Sequence, residues 1–139
     1  MTFKAKTTAI MLVTLTIVYG WYFIQVLPET AETPVAEIGY QGVMFATVVL
    51  FVILFVAGMI VLAAADRHQA DDEDERDQLI ERRGDQVGGY VLAVAALAGM
   101  GLAMVEGSYF WIANVLLAGL VLSELAKGLV MLAAYRRGF

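Results

Sequence analysis

The chain has 139 residues, 60% of them hydrophobic, with a mean hydropathy of +0.75 and a net charge of −5. Soluble domains are about 45–50% apolar, so this composition excludes an ordinary water-soluble globule. The absence of cysteine excludes disulfide scaffolds and thiolate metal sites, the single histidine, His68, excludes multi-histidine metal and bis-histidine haem centres, and the acidic balance argues against a nucleic-acid partner.

A helix needs about 20 apolar residues to cross the hydrocarbon core, and four segments meet that length. The first, about 7–27, follows Lys4 and Lys6 and stops at Pro28. Its 21 residues exceed the h-region of a cleaved signal peptide, so it is expected to be a retained span. The second, about 37–65, follows Pro34. Its core VVLFVILFV (48–56) is bulky on every side, as suits a lipid-facing surface. Gln41 at its start is expected at the interface, and Thr47 can bond its own backbone.

Residues 66–86 hold nine acids and four bases, while the rest of the chain holds five of each, so this segment carries the whole charge imbalance. Asp72 can cap a helix with Glu75 at the capping-box position. Arg82 and Arg83 suit the negative end of its dipole, and Gly84 suits a C-cap. The pattern predicts a short amphipathic helix over about 73–83, with Leu79 and Ile80 touching the bundle or a partner. Asp77, Glu81 and Asp85 form an acidic row, with Arg76, Arg82 and Arg83 as counter-charge. The run Asp71, Asp72, Glu73, Asp74, Glu75 lacks the spacing of a calcium loop and reads as a solvated acidic face; no metal or cofactor is expected. With Arg76, Leu79, Ile80 and Arg83, these five acids form the candidate partner-docking surface.

The third span covers about 87–105, where Ala95, Gly99, Ala103 and Gly107 recur every four residues as a smooth stripe. Such stripes allow close backbone approach in lipid, here either within a hairpin or between copies in a homo-oligomer. After the Glu106-Gly107-Ser108 turn, the fourth span covers about 109–135, with Gly119 and Ser123 at the same spacing. Glu124 and Lys127 are its sharpest feature. Charged groups inside a span are costly and are functional candidates, and the three-residue spacing puts the two on one face. Glu124 is expected near the bilayer midplane, ion-paired to Lys127 as a fastening between helices, or else acting as a proton- or cation-binding group. Asn114 and Ser123 are the other polar candidates in this span.

Four apolar helices fulfil the requirement that backbone polar groups be satisfied within lipid. The expected fold is an all-α membrane protein, a four-helix up-down antiparallel bundle forming one domain. Lys and Arg flank the spans on one side only, and the 28–37 connection and the 106–108 turn contain none. The positive-inside rule then places both termini and the 66–86 loop in the cytoplasm. Trp21 and Trp111, with Tyr22, Tyr40 and Tyr109, would form the belt at the outer interface.

The stretches DERDQLIERRGDQVGGY, FKAKTTAIMLVTLTIVYGWYF and YFWIANVLLAGLVLSELAKGLVMLAAYRRGF together resemble a family of small bacterial four-span membrane proteins with a D-E-R-D-x-L-I-E cytoplasmic loop. The matching positions are Asp74, Glu75, Arg76, Asp77, Leu79, Ile80, Glu81, Arg83, Gly84, Trp111, Asn114, Glu124, Arg136 and Arg137. The resemblance implies a multi-pass protein of the bacterial inner membrane and gives none of these residues a catalytic role. Small multidrug transporters have a similar size but carry an essential glutamate in span one, where this chain has no acid. The residues supply no nucleophile–base set and no phosphate loop, so an enzyme is not expected. Two expectations remain: a non-catalytic assembly or scaffold protein, whose acidic loop docks a cytoplasmic or membrane partner, and a small oligomeric transporter of protons, cations or solutes using Glu124.

Overall fold

The computed structural model describes residues 3–65 and 75–137. These residues form helices α1 (Phe3–Val26), α2 (Glu29–Glu32), α3 (Gln41–Ala65), α4 (Glu75–Met104) and α5 (Tyr109–Arg137), with a 3₁₀ turn at Val35–Glu37 and no strand among them. The segments Phe3–Glu32, Gln41–Ala65, Glu75–Met104 and Tyr109–Arg137 are long and apolar enough to cross a membrane. The acids Asp71, Asp72, Glu73 and Asp74, together with His68, lie outside the described residues.

Prolines punctuate the first connection, because a proline ring cannot continue a helix from the residue before it. Pro28 separates α1 from α2, and Pro34 starts the 3₁₀ turn. The turn between α4 and α5 is a Schellman motif. The Gly107 N–H donates to the Leu102 carbonyl at 2.7 Å and the Glu106 N–H to that of Ala103 at 3.1 Å. Glu106, rather than a glycine, takes the left-handed conformation there, with φ 57°.

The 73–83 segment differs from expectation. Residues 75–83 do not form a separate helix ending at Gly84; α4 continues through Gly84 and Gly88 to Met104 without a break. A C-cap glycine works by leaving the helix, but Gly84 is buried inside one, and a Cβ there would meet Met131 Cγ at 2.8 Å and Lys127 Cγ at 3.0 Å. Gly84-x-x-x-Gly88 is therefore a close-contact motif against α5. The small-residue seam runs through Gly84, Gly88, Ala95 and Gly99, whereas Ala103 of the expected stripe is exposed. A Cβ on Gly119 would collide with Ala95, and one on Gly99 would come within 2.7 Å of Leu116. The contacts step up α4 as they step down α5.

Three helix pairs hold the molecule together: α3 on α1, α1 on α5 and α5 on α4. The two central helices thus carry the core. The α1 residues Ala5, Thr8, Leu12, Leu15, Tyr19, Tyr22 and Val26 are buried, and they alternate at three- and four-residue steps like a coiled-coil seam. On α5, Phe110, Asn114, Leu117, Val121, Gly128 and Met131 are buried on the same rhythm. The flanking helix α3 buries only Thr47, which suits its apolar circumference for lipid.

Candidate functional site

Each polar side chain expected inside the spans has a definite position. Asn114 is buried at the α1–α5 seam, where its Oδ1 accepts the Tyr22 hydroxyl at 2.7 Å and its Nδ2 donates to the Phe110 carbonyl at 2.8 Å. Ser123 donates its hydroxyl to the Gly88 carbonyl of α4 at 2.7 Å. That bond requires a bare glycine opposite, since a Cβ on Gly88 would stand 3.0 Å from the Ser123 carbonyl oxygen.

Glu124 and Lys127 do not form the expected pair. Lys127 Nζ reaches across to Asp85 of α4 at 2.6 Å. The pairing also fixes depth. Gly119 lies against Ala95, near the middle of the charge-free 87–105 stretch of α4. At about 1.5 Å per residue, Glu124 is about 7.5 Å from that level and Lys127 about 12 Å. Measured against α4, Glu124 thus lies between the middle and the end of the apolar run, and Lys127 sits where the run gives way to charge.

The acidic row of α4 accounts for this arrangement. Asp77, Glu81 and Asp85 recur every four residues, so they share one face, and that face points at the other helices. Asp77, 4% exposed, accepts the Tyr135 hydroxyl. Glu81 pairs with Lys4 of α1 at 3.2 Å, and Asp85 with Lys127 of α5. Their counter-charge thus comes from other helices, in addition to the neighbouring arginines. Arg76 donates to the Tyr135 carbonyl at 3.3 Å and stacks over its ring at 5.6 Å. Ile80 is fully buried with Met131 and Ala134, whereas Leu79 is 55% exposed.

A cavity of about 130 Å³ opens beside these pairs, lined by Lys4, Thr8, Leu12, Glu81, Glu124 and Lys127, among others. Glu124 is half-buried at the seam position between Val121 and Gly128 and, among the described residues, takes no salt bridge. Both threonine hydroxyls of this wall turn inward on α1, Thr7 to the Phe3 carbonyl and Thr8 to that of Lys4, each at 2.9 Å. Among the described residues, no group of three acids or histidines is placed to hold a metal ion.

Several fastenings escaped the sequence reading, among them Tyr22 with Asn114, Tyr135 with Asp77, and Lys127 with Asp85. The first two had a signal. Tyr22 falls on the three-four seam of α1, and Asp77 begins the acidic row. Comparison with protein-family models, curated proteins and solved structures finds no match.

Proposed function

We infer that this chain is a non-catalytic assembly or scaffold protein of a bacterial inner membrane. In this reading it is an up-down antiparallel bundle with both termini and the 66–86 segment on the cytoplasmic side, following the lysine and arginine distribution. One observation carries it. Residues 75–83 are a continuation of a spanning helix, clamped on one face by Ile80, Asp77, Glu81 and Arg76 and leaving Leu79 exposed on the other. A clamped extension positions a docking surface without the ordering cost that a free loop has on binding. Asn114, Ser123 and Lys127 of the fourth span meanwhile go into helix–helix bonds. The partner is a membrane or cytoplasmic protein.

The test is affinity purification from gently solubilised native membranes. We expect a stoichiometric partner that is released by high salt and lost in Leu79→Asp, with helix content and melting temperature unchanged in that variant. Recovery of the chain alone, or of the same set with wild type and Leu79→Asp, would overturn the proposal.

A second reading rests on the cavity at Glu124. A half-buried carboxylate without a salt bridge among the described residues, on the wall of a small space that is otherwise mostly apolar, suits a proton or monovalent cation. Transport through an oligomer would then require Glu124 and be abolished by Glu124→Gln.

A further inference from the structure

A second space opens between α1 and α5, toward the end that carries Leu27 and Trp111. It measures about 430 Å³, and its walls are almost wholly apolar, with Thr16, Gly20 and Phe23 on α1 and Trp111, Ala118 and Leu122 on α5. The one amide on its wall, Asn114, is already bonded through both Oδ1 and Nδ2. Along α1 the groove runs from Leu15 to Leu27, about 18 Å at 1.5 Å per residue. That is close to the depth of a single leaflet, half of the roughly 30 Å hydrocarbon core. Along that length the groove has room for one alkyl chain.

Charge selects the headgroup. Glu29 and Glu32 of the exposed helix α2 lie within five residues of Leu27, and the 28–37 connection carries no lysine or arginine. The indole of Trp111 forms part of the rim, and an aromatic face attracts an ammonium group. An aromatic rim, with the acids of α2 a few residues beyond Leu27, favours a lipid amine over a headgroup with net negative charge.

We propose that the α1–α5 groove is a lipid-binding site, holding one acyl chain of a zwitterionic, amine-bearing phospholipid with its ammonium group toward the Trp111 rim and the α2 acids Glu29 and Glu32. The site is independent of the docking surface at Leu79, so either can fail without the other. Gly20 supplies the decisive variant. A Cβ there meets nothing within 4 Å, so the side chain of Gly20→Leu starts in open space on the groove wall and fills the groove. Ala118→Leu fills it from the opposite wall.

The chain is reconstituted in nanodiscs of equal parts phosphatidylethanolamine and phosphatidylglycerol, extracted in mild detergent, and its retained lipid is identified by mass spectrometry. Wild type is expected to keep one lipid per chain, with phosphatidylethanolamine favoured roughly fivefold. Glu29→Gln with Glu32→Gln should remove that preference. Gly20→Leu should lose the lipid, or Ala118→Leu should if the first variant does not fold, whereas Gly42→Leu, at another open position, should keep it. Equal lipid in wild type and the filled-groove variants overturns the proposal, as does a preference for phosphatidylglycerol. So does efficient disulfide formation between copies carrying Thr16→Cys or Ala118→Cys, which would put a second copy in the groove.

Discussion

Asn114 shows what a polar group does inside this molecule: it is buried, bonded through both Oδ1 and Nδ2, and joins two helices. Interhelical hydrogen bonds within a membrane are worth about 0.6–2 kcal/mol, and an orphaned buried partner adds its desolvation cost. Tyr22→Phe and Asn114→Leu should each lower stability by about 1–2 kcal/mol, and the double variant should cost less than their sum, as read from reversible unfolding in detergent. The Lys127–Asp85 pair belongs to another class. Asp85 is 57% exposed, so Asp85→Asn should cost at most about 1 kcal/mol, an effect that shrinks as salt is raised. The sequence revealed that Glu124 and Lys127 were unusual but not whom they meet. Spacing along one helix puts the two side chains on a common face, but the facing residues of α4 decide the pairing, and Asp85 takes Lys127. Asp77, Glu81 and Asp85 were visible as a row, yet their partners Tyr135, Lys4 and Lys127 lie on α5 and α1 and become evident only once those helices are in place.

At the level of the helix, the four apolar segments were legible because a membrane span needs a length and a composition that little else in a sequence provides. The end of the acidic helix was not. Gly84 looks the same in sequence whether it caps a helix or lets a neighbour approach, and Met131 and Lys127 across the seam decide for approach. Gly119→Leu should therefore force α4 and α5 apart, costing about 3 kcal/mol or more, whereas Gly101→Leu, at an open position, should stay within about 0.5 kcal/mol of wild type. Thermal unfolding of the two variants provides the comparison. The turn offers a gain. Glu106 holds a left-handed conformation that costs a residue with a Cβ about 1–2 kcal/mol, partly offset by the greater chain entropy of glycine. Glu106→Gly should raise stability by about 0.5–1 kcal/mol in the same assay.

For the whole molecule, the packing of α3 on α1, α1 on α5 and α5 on α4 leaves α3 and α4 as flanks. Chain order does not give this away, because α3 and α4 follow one another in sequence without packing extensively among the described residues. The cysteine-free chain suits a direct check. Ile10→Cys with Gly58→Cys, Leu12→Cys with Gly128→Cys, and Gly99→Cys with Leu116→Cys should each cross-link within one chain, whereas Val56→Cys with Ala96→Cys should not. The −5 charge also takes on a new meaning at this scale. Three of the acids in the 66–86 segment fasten the α4 extension to α1 and α5, which makes the extension part of the membrane domain. The central claim is that intramembrane polar groups hold helices together and do not line a path. Proteoliposome flux of protons, sodium and potassium tests it most directly. Wild type and Glu124→Gln should both match empty liposomes, whereas a wild-type flux that Glu124→Gln abolishes would contradict the claim.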